Sequence, residues 1–334
     1  MNSPRAEIVF WCGRTYEDAL LGNWAHTHAL LNASDYRRKV KEYMTIHDTS
    51  EQAVMQRYGD SSARYRFRHN AEVMADWLKH DVDRRLGDDH AFPIFMVDSI
   101  NANVPVICYN RSAIEANSYA ILWPLQYHVD VARKGLGDQR RFLEKQPKIV
   151  FRGALSSPLK SKMLPGGYVK VSRPEFLQNL LHHPDIADVG IHLIPPHVRA
   201  SPEYAPMQEA ISLLLKPEIP FDRMLEYRYI LCIEGADISS GFGAVLASNS
   251  IPIHPFPFCY NVWYFNGLVP WEHFVPVAPD GSNMRAVFEY CESHPEEMRY
   301  ISESGRAHMQ RMLDDELLSA VKRGVVKLWN LKRS

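Results

Sequence analysis

The stretch from Tyr227 to Pro255, YRYILCIEGADISSGFGAVLASNSIPIHP, changes its local character several times within a short distance. An apolar run ends at Ile233, a loop of small residues follows Glu234, and a helical segment leads to a second apolar run after Asn249. The order strand, small-residue turn, helix, strand is typical of a nucleotide-binding α/β unit. This pattern limits the possible folds more than any other feature of the sequence.

The same alternation continues through the rest of the chain. Apolar runs predict strands at 6–13, 93–98, 104–110, 119–124, 148–153, 188–194 and 273–277. Helical spacing predicts helices at 16–31, 71–86, after Ser172, at 203–215 and in three segments at the C-terminus. Interleaved strands and helices favour an α/β fold with mostly parallel sheets. The charged, glycine-containing segment 131–148 is the best candidate for a domain boundary.

Composition excludes several classes of protein. A chain of 334 residues predicts about two domains, and 46% apolar with 23% charged residues is a normal globular balance. A net charge of −1 gives no reason to expect a nucleic-acid partner. The cysteines are scattered and odd in number, which predicts reduced thiols in the cytoplasm, with neither disulfides nor a zinc site. We see no signal sequence and no apolar run long enough to span a membrane.

Short motifs that could carry chemistry are weak when each is considered alone. The pair Asp81 and Asp83 resembles a DxD metal clamp, but it lies in an amphipathic helix between basic residues, where a solvated face is the simpler interpretation. The glycines of the opening stretch match neither GxGxxG nor a P-loop. We therefore predict no metal site and no bound cofactor.

Four blocks taken together resemble glycosyltransferase family 90, which includes protein O-glucosyltransferases, capsule xylosyltransferases and LpsA-like lipopolysaccharide glycosyltransferases. The blocks are KIVFRGALSS, SRPEFLQNLLHHPDIADVGIH, the opening stretch, and WEHFVPVAPDGSNM. They occur in the order found in the family and cover about residues 92–313.

The resemblance implies a GT-B-like fold, in which two Rossmann-like domains face an interdomain cleft. On this basis the acceptor-side domain is residues 1–145, the nucleotide-sugar domain is residues 146–312, and a C-terminal helix is residues 313–334. The resemblance also implies an inverting mechanism that requires no metal. The nucleotide-sugar is then a co-substrate and not a cofactor.

The resemblance assigns a catalytic base to Asp98, which follows a predicted strand in the N-terminal half. Inverting transfer needs a base to deprotonate the acceptor hydroxyl. An aspartate that only begins a turn after a strand is the alternative. Arg111 lies where the family often has a basic residue and is a weaker candidate for contact with the acceptor or with phosphate.

The donor site is predicted from two loops. In FRGALSS, Arg152 would bind the diphosphate, although an interdomain salt bridge is its alternative role. Glu234 would take the ribose hydroxyls, and the loop after it would lead the diphosphate to a helix N-terminus, although an ordinary capped turn remains possible. The further donor-site residues are Gly153, Ser156, Ser157, Gly235, Asp237, Ser239, Ser240 and Gly241.

The donor loop departs from the family at Gly241 and Gly243, where relatives carry cations. A lysine at position 243 is therefore expected to tighten binding of UDP. It is also expected to stabilise the helix, since glycine is a poor helix former.

The leading hypothesis is a glycosyltransferase that moves glucose or xylose from a UDP-linked donor to a hydroxyl of a glycan, lipid-linked glycan or protein acceptor. Lipopolysaccharide and capsule precursors are the favoured acceptors. The missing loop cations suggest a rival, a degenerate family member that binds nucleotide or glycan without transfer. A fucosyltransferase-like enzyme that uses a GDP-sugar is the third hypothesis. The expected location is the cytoplasm, including the inner face of the membrane.

Replacing Asp98 by Asn should preserve donor binding and lower turnover by ~10²- to 10⁴-fold, the usual contribution of a positioned base. Turnover and UDP affinity measured on the same preparation check this expectation. Near wild-type transfer by the variant would remove Asp98 from the mechanism.

Overall fold

The structure is a computed structural model that describes residues 94–95, 106–113, 120–156, 158–265 and 267–331. The strand and helices predicted before residue 94 lie outside these ranges. The chain divides into two compact units. One contains residues 130–259 and 267–313, and the other contains residues 1–129, 260–266 and 314–334. The domain limits at 145/146 and 312/313 stay predictions.

The described elements follow the predicted alternation of strands and helices. In chain order the strands are β1 (Ile94–Phe95), β2 (Val106–Cys108), β3 (Asn110–Ser112), β4 (Ala120–Leu122), β5 (Gln146–Ala154), β6 (Lys162–Met163), β7 (Val169–Lys170), β8 (Ala187–Leu193), β9 (Tyr227–Leu231), β10 (Ile251–Pro255), β11 (Tyr260–Val262) and β12 (Val275–Val277). The α-helices are α1 (Gln126–Leu136), α2 (Arg173–Leu181), α3 (Pro196–Arg199), α4 (Gln208–Ser212), α5 (Phe221–Met224), α6 (Phe242–Leu246), α7 (Met284–Ser293), α8 (Pro295–Met312) and α9 (Asp315–Leu331).

The larger described unit is built on a five-stranded parallel sheet with the spatial order β12-β10-β9-β5-β8. Along the chain, β5 comes first and β8 lies to one side of it, whereas β9, β10 and β12 follow in turn on the other side. The direction of winding therefore reverses between β5 and β9. This is a doubly wound α/β sheet, compatible with a Rossmann-like unit. The predicted α/β class with a parallel sheet is confirmed.

The central strands of this sheet are buried on both faces, as parallel sheets require. Every residue of β10 is buried, and so are the middle of β5 and the C-terminal part of β9. Ile149, Tyr229 and Ile253 are each fully buried, and they belong to one hydrophobic cluster that also contains residues of α2, α7 and α8. The sheet is thus fixed by apolar burial, and polar groups concentrate at its edges.

The smaller unit has a three-stranded parallel sheet, β1-β2-β4, and an antiparallel pair formed by β3 and β11. Leu122 and Trp123, at the end of β4, are buried. The predicted strands at 93–98, 104–110 and 119–124 correspond to elements of this unit. Among the described residues, no helix is both long enough and apolar enough to cross a membrane.

The helix predicted at 203–215 is shorter than expected. An initial 3-10 turn leads into α4, which ends at Ser212. Beyond it, the carbonyl of Leu214 accepts a hydrogen bond from Ile191, and Leu215 pairs with Ile191 as an isolated bridge. Pairing with the edge strand β8 therefore competes with helix formation. The apolar pattern alone did not reveal this competition.

A buried ion pair ties together the amino ends of the sheet. The ammonium of Lys145 donates to the carboxylate of Asp138 at 2.6 Å, to the hydroxyl of Ser250 at 2.8 Å and to the carbonyl of Leu225. Both charged side chains are 0% exposed. Asp138 also accepts the N–H of Asn249 at 3.0 Å. The segment 131–148, predicted as a boundary, is thus firmly packed into the larger unit.

Replacing Lys145 by Met should lower the free energy of unfolding by about 3–5 kcal/mol, because the carboxylate of Asp138 would stay buried without its counter-charge. Urea unfolding followed by circular dichroism measures the loss. Arg299→Met is the control, since its ion pairs with Glu296 and Glu303 lie on the surface and should contribute no resolvable stability. An equal effect of the two substitutions would contradict the importance of the buried pair.

Candidate functional site

The crevice between the ends of β5 and β9 is where this topology favours a ligand. In open α/β sheets, ligands bind beyond the carboxyl ends of the strands, at the point where the winding reverses. The residues that follow β5 and β9 here include Ser156, Glu234 and Gly235. The structure thus brings the two predicted donor loops to the same edge of the sheet, on neighbouring strands. The term "switch-point crevice" refers below to residues 154–156, 170, 173 and 233–237.

Arg173 joins the two strand ends. It is the first residue of α2, and Ser172 before it caps the helix by accepting the N–H of Glu175. In the guanidinium, Nη1 donates to the carbonyl of Ala154 at 2.9 Å, and Nη2 donates to the carbonyl of Ile233 at 2.8 Å. The other N–H groups of Nη1 and Nη2 have no acceptor among the described residues. They are therefore available to an anion.

Burial lowers the pKa of Arg173 to about 10, and the charge of Asp237 is the strongest influence in the opposite direction. The guanidinium therefore stays charged at neutral pH. Because it is largely desolvated, its attraction for an incoming anion is stronger than that of a surface arginine.

Ser156 and Gly235 shape the space beside this guanidinium. The hydroxyl of Ser156 is buried and has no hydrogen-bond partner in the described part of the chain. A Cβ at Gly235 would lie 2.8 Å from that hydroxyl oxygen and 3.0 Å from Nη2 of Arg173. Any side chain at position 235 would thus clash with both groups. Glycine allows the backbone to approach them this closely.

Glu234 and Lys170 form a second charged group at the crevice. The carboxylate of Glu234 is 6% exposed and accepts the N–H of Cys259 at 3.1 and 3.2 Å. Burial lowers the pKa of Lys170 to about 8, and the charge of Glu234 is the main opposing influence. Contact of Glu234 with a ribose stays a prediction, and it would have to share the carboxylate with Cys259.

Arg152 has its donors engaged elsewhere. Its Nη2 pairs with the carboxylate of Asp188 at 2.9 and 3.0 Å, Nη1 donates to the carbonyls of Phe151 and Asp188, and Nε donates to the carbonyl of Pro217. The side chain is 6% exposed. The sequence left two roles open for Arg152, a phosphate contact and an interdomain salt bridge. In the structure its guanidinium instead forms an ion pair with Asp188, which lies in the same unit. Binding of phosphate by Arg152 stays a prediction that would require these bonds to break.

The loop after Glu234 leads into a helix as predicted, but α6 is only five residues long. The carbonyl of Asp237 accepts the N–H of Gly235 at 2.9 Å, and that of Ser239 accepts the N–H of Phe242 at 2.9 Å. Ser240 is exposed. Gly241 stands at the N-cap, where an added Cβ would meet nothing within 4 Å. So short a helix has a weak dipole, and its contribution to anion binding is correspondingly small.

Gly153 and His254 contribute shape, not charge. A Cβ at Gly153 would lie 2.8 Å from the ring of Phe151, so glycine allows that ring to pack. Burial lowers the pKa of His254 to about 3, so this imidazole is neutral at physiological pH and supplies no cation. In the described ranges, no three His, Cys, Asp or Glu side chains gather closely enough to hold a metal ion.

Several predicted site residues cannot be placed. Asp98 and Ser157 lie outside the described residues, as does the DVD pair, and only the backbone of Arg111 is described, within β3. Their roles stay predictions. Conversely, sequence reasoning missed Arg173 and Lys170 as site residues. Arg173 lies in the resemblance block SRPEFL, for which the sequence predicted no role in phosphate binding, and nothing in the sequence marked Lys170.

Comparison with known proteins bears directly on the segment that contains these two cations. The sequence model of Glycosyl transferase family 90 matches residues 169–320. This segment belongs to glycosyltransferase family 90. The family 90 segment includes Lys170, Arg173 and the loop after Glu234, and thus much of the switch-point crevice.

Curated relatives match this chain at low identity. O-glucosyltransferase LpsA of Dichelobacter nodosus is 27% identical over 180 residues, which cover 54% of this chain and 48% of LpsA. Uncharacterized protein 027R of Frog virus 3 (isolate Goorha) is 28% identical over 147 residues, 39% of this chain and 15% of the viral protein. Uncharacterized protein 035R of Invertebrate iridescent virus 3 is 26% identical over 136 residues, which cover 40% of this chain and 12% of the viral protein. The chain spans less than half the length of these relatives.

The structure reverses the expected effect of Gly243→Lys on stability. Gly243 is buried in α6, so a lysine there would place a charge in the core and should lower the free energy of unfolding by about 3 kcal/mol or more. Gly241→Lys is the matched control at an open position and should change stability by no more than about 0.5 kcal/mol. Thermal and urea unfolding of both variants test the difference. A stable Gly243→Lys protein would mean that α6 is packed less tightly than described.

Proposed function

We propose that this chain is an inverting glycosyltransferase. It transfers glucose or xylose from a UDP-linked donor to a hydroxyl of a glycan, with lipopolysaccharide or capsule precursors as acceptors. The reaction is proposed to need no metal, because the charge that develops on the leaving diphosphate is met by arginine, lysine and backbone N–H groups. The same proposal includes a GT-B-like fold, in which two domains face a cleft, and a cytoplasmic location that includes the inner face of the membrane.

The single observation that carries this function is the position of Arg173. A guanidinium, two of whose N–H groups have no acceptor in the described part of the chain, lies at the reversal point of a doubly wound sheet, inside a family 90 segment. A charged arginine at such a crevice suits a nucleoside diphosphate, since guanidinium binds phosphate oxygens through paired N–H donors. We propose that Arg173 makes the phosphate contact that the sequence assigned to Arg152. Lys170 supports it from the neighbouring β7.

The remaining residues take the roles that the resemblance assigns to them. Asp98 removes the proton from the acceptor hydroxyl, and Arg111 contacts acceptor or phosphate. Ser156 donates its hydroxyl, which has no partner among the residues that the structure describes, to the nucleotide-sugar, and Ser157 follows it in the sequence. Glu234 receives the ribose hydroxyls. The loop of Asp237, Ser239, Ser240 and Gly241 covers the diphosphate with backbone groups.

The rival hypothesis, a degenerate protein without transfer, arose from the absence of loop cations at Gly241 and Gly243. Arg173 and Lys170 weaken that argument, because they supply cations to the same crevice from the β7–α2 segment. A GDP-sugar donor remains the second candidate for the nucleotide. The pair of cations would serve either diphosphate equally well.

A thermal-shift screen of UDP-, GDP-, CMP- and dTDP-sugars should show stabilisation with a UDP-sugar, because binding to the native state shifts its unfolding. Hydrolysis of that donor, measured with and without EDTA, then tests turnover and metal dependence together. Donor binding without any hydrolysis or transfer would favour the non-catalytic rival. Loss of turnover in EDTA, restored by manganese, would exclude the metal-free mechanism.

Replacing Arg173 by Met should weaken the affinity for UDP by about 10- to 150-fold, because a charge-assisted contact to phosphate is lost. Isothermal titration calorimetry measures the affinity, and Arg173→Lys should recover part of it. Arg152→Met is the matched control, which should lower stability through Asp188 and leave UDP affinity little changed. The opposite outcome, with affinity lost only in Arg152→Met, would return the phosphate contact to Arg152.

A further inference from the structure

A cavity of about 460 Å³ lies away from the switch-point crevice. It is lined by Trp271, Asn283, Ala286, Val287, Tyr290 and Glu297, a set called the aromatic pocket below. Trp271 comes shortly before β12, whereas the crevice follows the carboxyl ends of β5 and β9. The aromatic pocket and the crevice have no lining residue in common, and β10 separates β12 from the crevice strands β9 and β5 in the sheet. The aromatic pocket is thus distinct from the proposed donor site.

Trp271 stands in a conformation that a bulky residue rarely adopts. Its φ is 62°, in the left-handed region, and its side chain is 39% exposed. The backbone is fixed there, since the N–H of Trp271 donates to the carbonyl of Phe274 at 2.9 Å. Glycine would suit this position without strain, whereas tryptophan is strained there and still leaves 39% of its surface exposed. Strain of this kind at an exposed aromatic residue is a feature of binding sites.

Tyr290 forms the second wall and is held rigid. Its ring stacks on His294 with centroids 4.1 Å apart, and its hydroxyl donates to the carboxylate of Glu297 at 2.9 Å. The rings of Trp271 and Tyr290 meet at 81° with centroids 5.6 Å apart. Two exposed rings therefore form a fixed corner, and a ligand would not have to order them on binding.

The polar groups of the aromatic pocket suit hydroxyls. Oδ1 of Asn283 accepts the N–H of Ala278 at 2.8 Å, which leaves its Nδ2 as a donor without an acceptor among the described residues. The carboxylate of Glu297 supplies acceptors. None of the six lining residues is Lys, Arg or His. A phosphate or a uronic acid would meet only a negative charge here, so the pocket disfavours an anionic ligand.

We propose that the aromatic pocket binds a pyranose ring of a neutral oligosaccharide. The C–H face of the sugar would pack on the electron-rich faces of Trp271 and Tyr290, and its hydroxyls would bond to Glu297 and Asn283. The pocket would hold a glycan chain at a distance from the reacting sugar. This inference does not rest on transfer, because such binding requires no nucleotide and no turnover.

Saturation-transfer NMR with maltotetraose and cellotetraose, two neutral probes, tests the proposal on the full chain. At least one probe should bind saturably, and trigalacturonate should not compete. Trp271→Gly and Tyr290→Ala should each weaken binding by about 5- to 100-fold, the range for loss of a stacking ring. Glycine keeps the backbone of residue 271 unstrained, so the fold should survive, and the thermal midpoint checks this.

Two control variants test whether a loss of saccharide affinity is specific to the aromatic pocket. Tyr300→Ala removes an exposed aromatic side chain outside the pocket and should leave saccharide affinity unchanged. Arg173→Met should also retain saccharide affinity, even where UDP affinity is lost. Failure of the transferase proposal and failure of the saccharide proposal are therefore distinguishable. Absence of saturable binding, or equal affinity in wild type and Trp271→Gly, would overturn the proposal. Self-association that is abolished by Trp271→Gly, without sugar binding, would instead assign the corner to a protein contact.

Discussion

The arginine at position 173 connects the ends of two strands between which a parallel sheet reverses its winding. At that point the loops after β5 and β9 diverge, and each presents one carbonyl to this arginine, that of Ala154 at the end of β5 and that of Ile233 just after β9. The guanidinium meets both carbonyls and still keeps N–H groups for a ligand. This one side chain thus bonds to both strand ends and places a positive charge in the crevice. The proposed donor site depends on it.

The edge of the sheet at the amino ends of the strands is rigid, and this allows the edge at the carboxyl ends to hold the crevice. At the amino ends of the sheet, the side chains of Lys145 and Asp138 are completely buried, and they bind to one another, to the hydroxyl of Ser250, to the carbonyl of Leu225 and to the N–H of Asn249. A buried ion pair does not need to add net stability, but it fixes one arrangement because any displacement leaves a charge unpaired. With this edge fixed, the opposite edge can hold incompletely satisfied groups such as the hydroxyl of Ser156.

The larger unit therefore presents two surfaces with contrasting chemistry. The switch-point crevice has buried cations and a hydroxyl that lacks a partner within the described ranges, and these groups suit a diphosphate. The aromatic pocket has exposed rings, an amide and a carboxylate, which suit an uncharged sugar. In a transferase that acts on a growing glycan, a remote sugar contact would keep the polymer near the enzyme between turnovers. Such a contact would act through effective concentration, not through the reaction itself.

Local patterns in the sequence determined the α/β alternation, the cap of α2 at Ser172, the three C-terminal helices and the family resemblance. Periodicity, caps and motif blocks depend on neighbouring residues, so they can be seen along the chain. Tertiary structure alone decided which arginine stands at the crevice, because Arg152 turns to Asp188 on the adjacent β8, whereas Arg173 reaches across two strand ends. It also decided that Gly243 is buried, that Leu214 and Leu215 join β8, and that Trp271 meets Tyr290. These contacts follow from strand order and crossovers between distant segments, which no local pattern specifies.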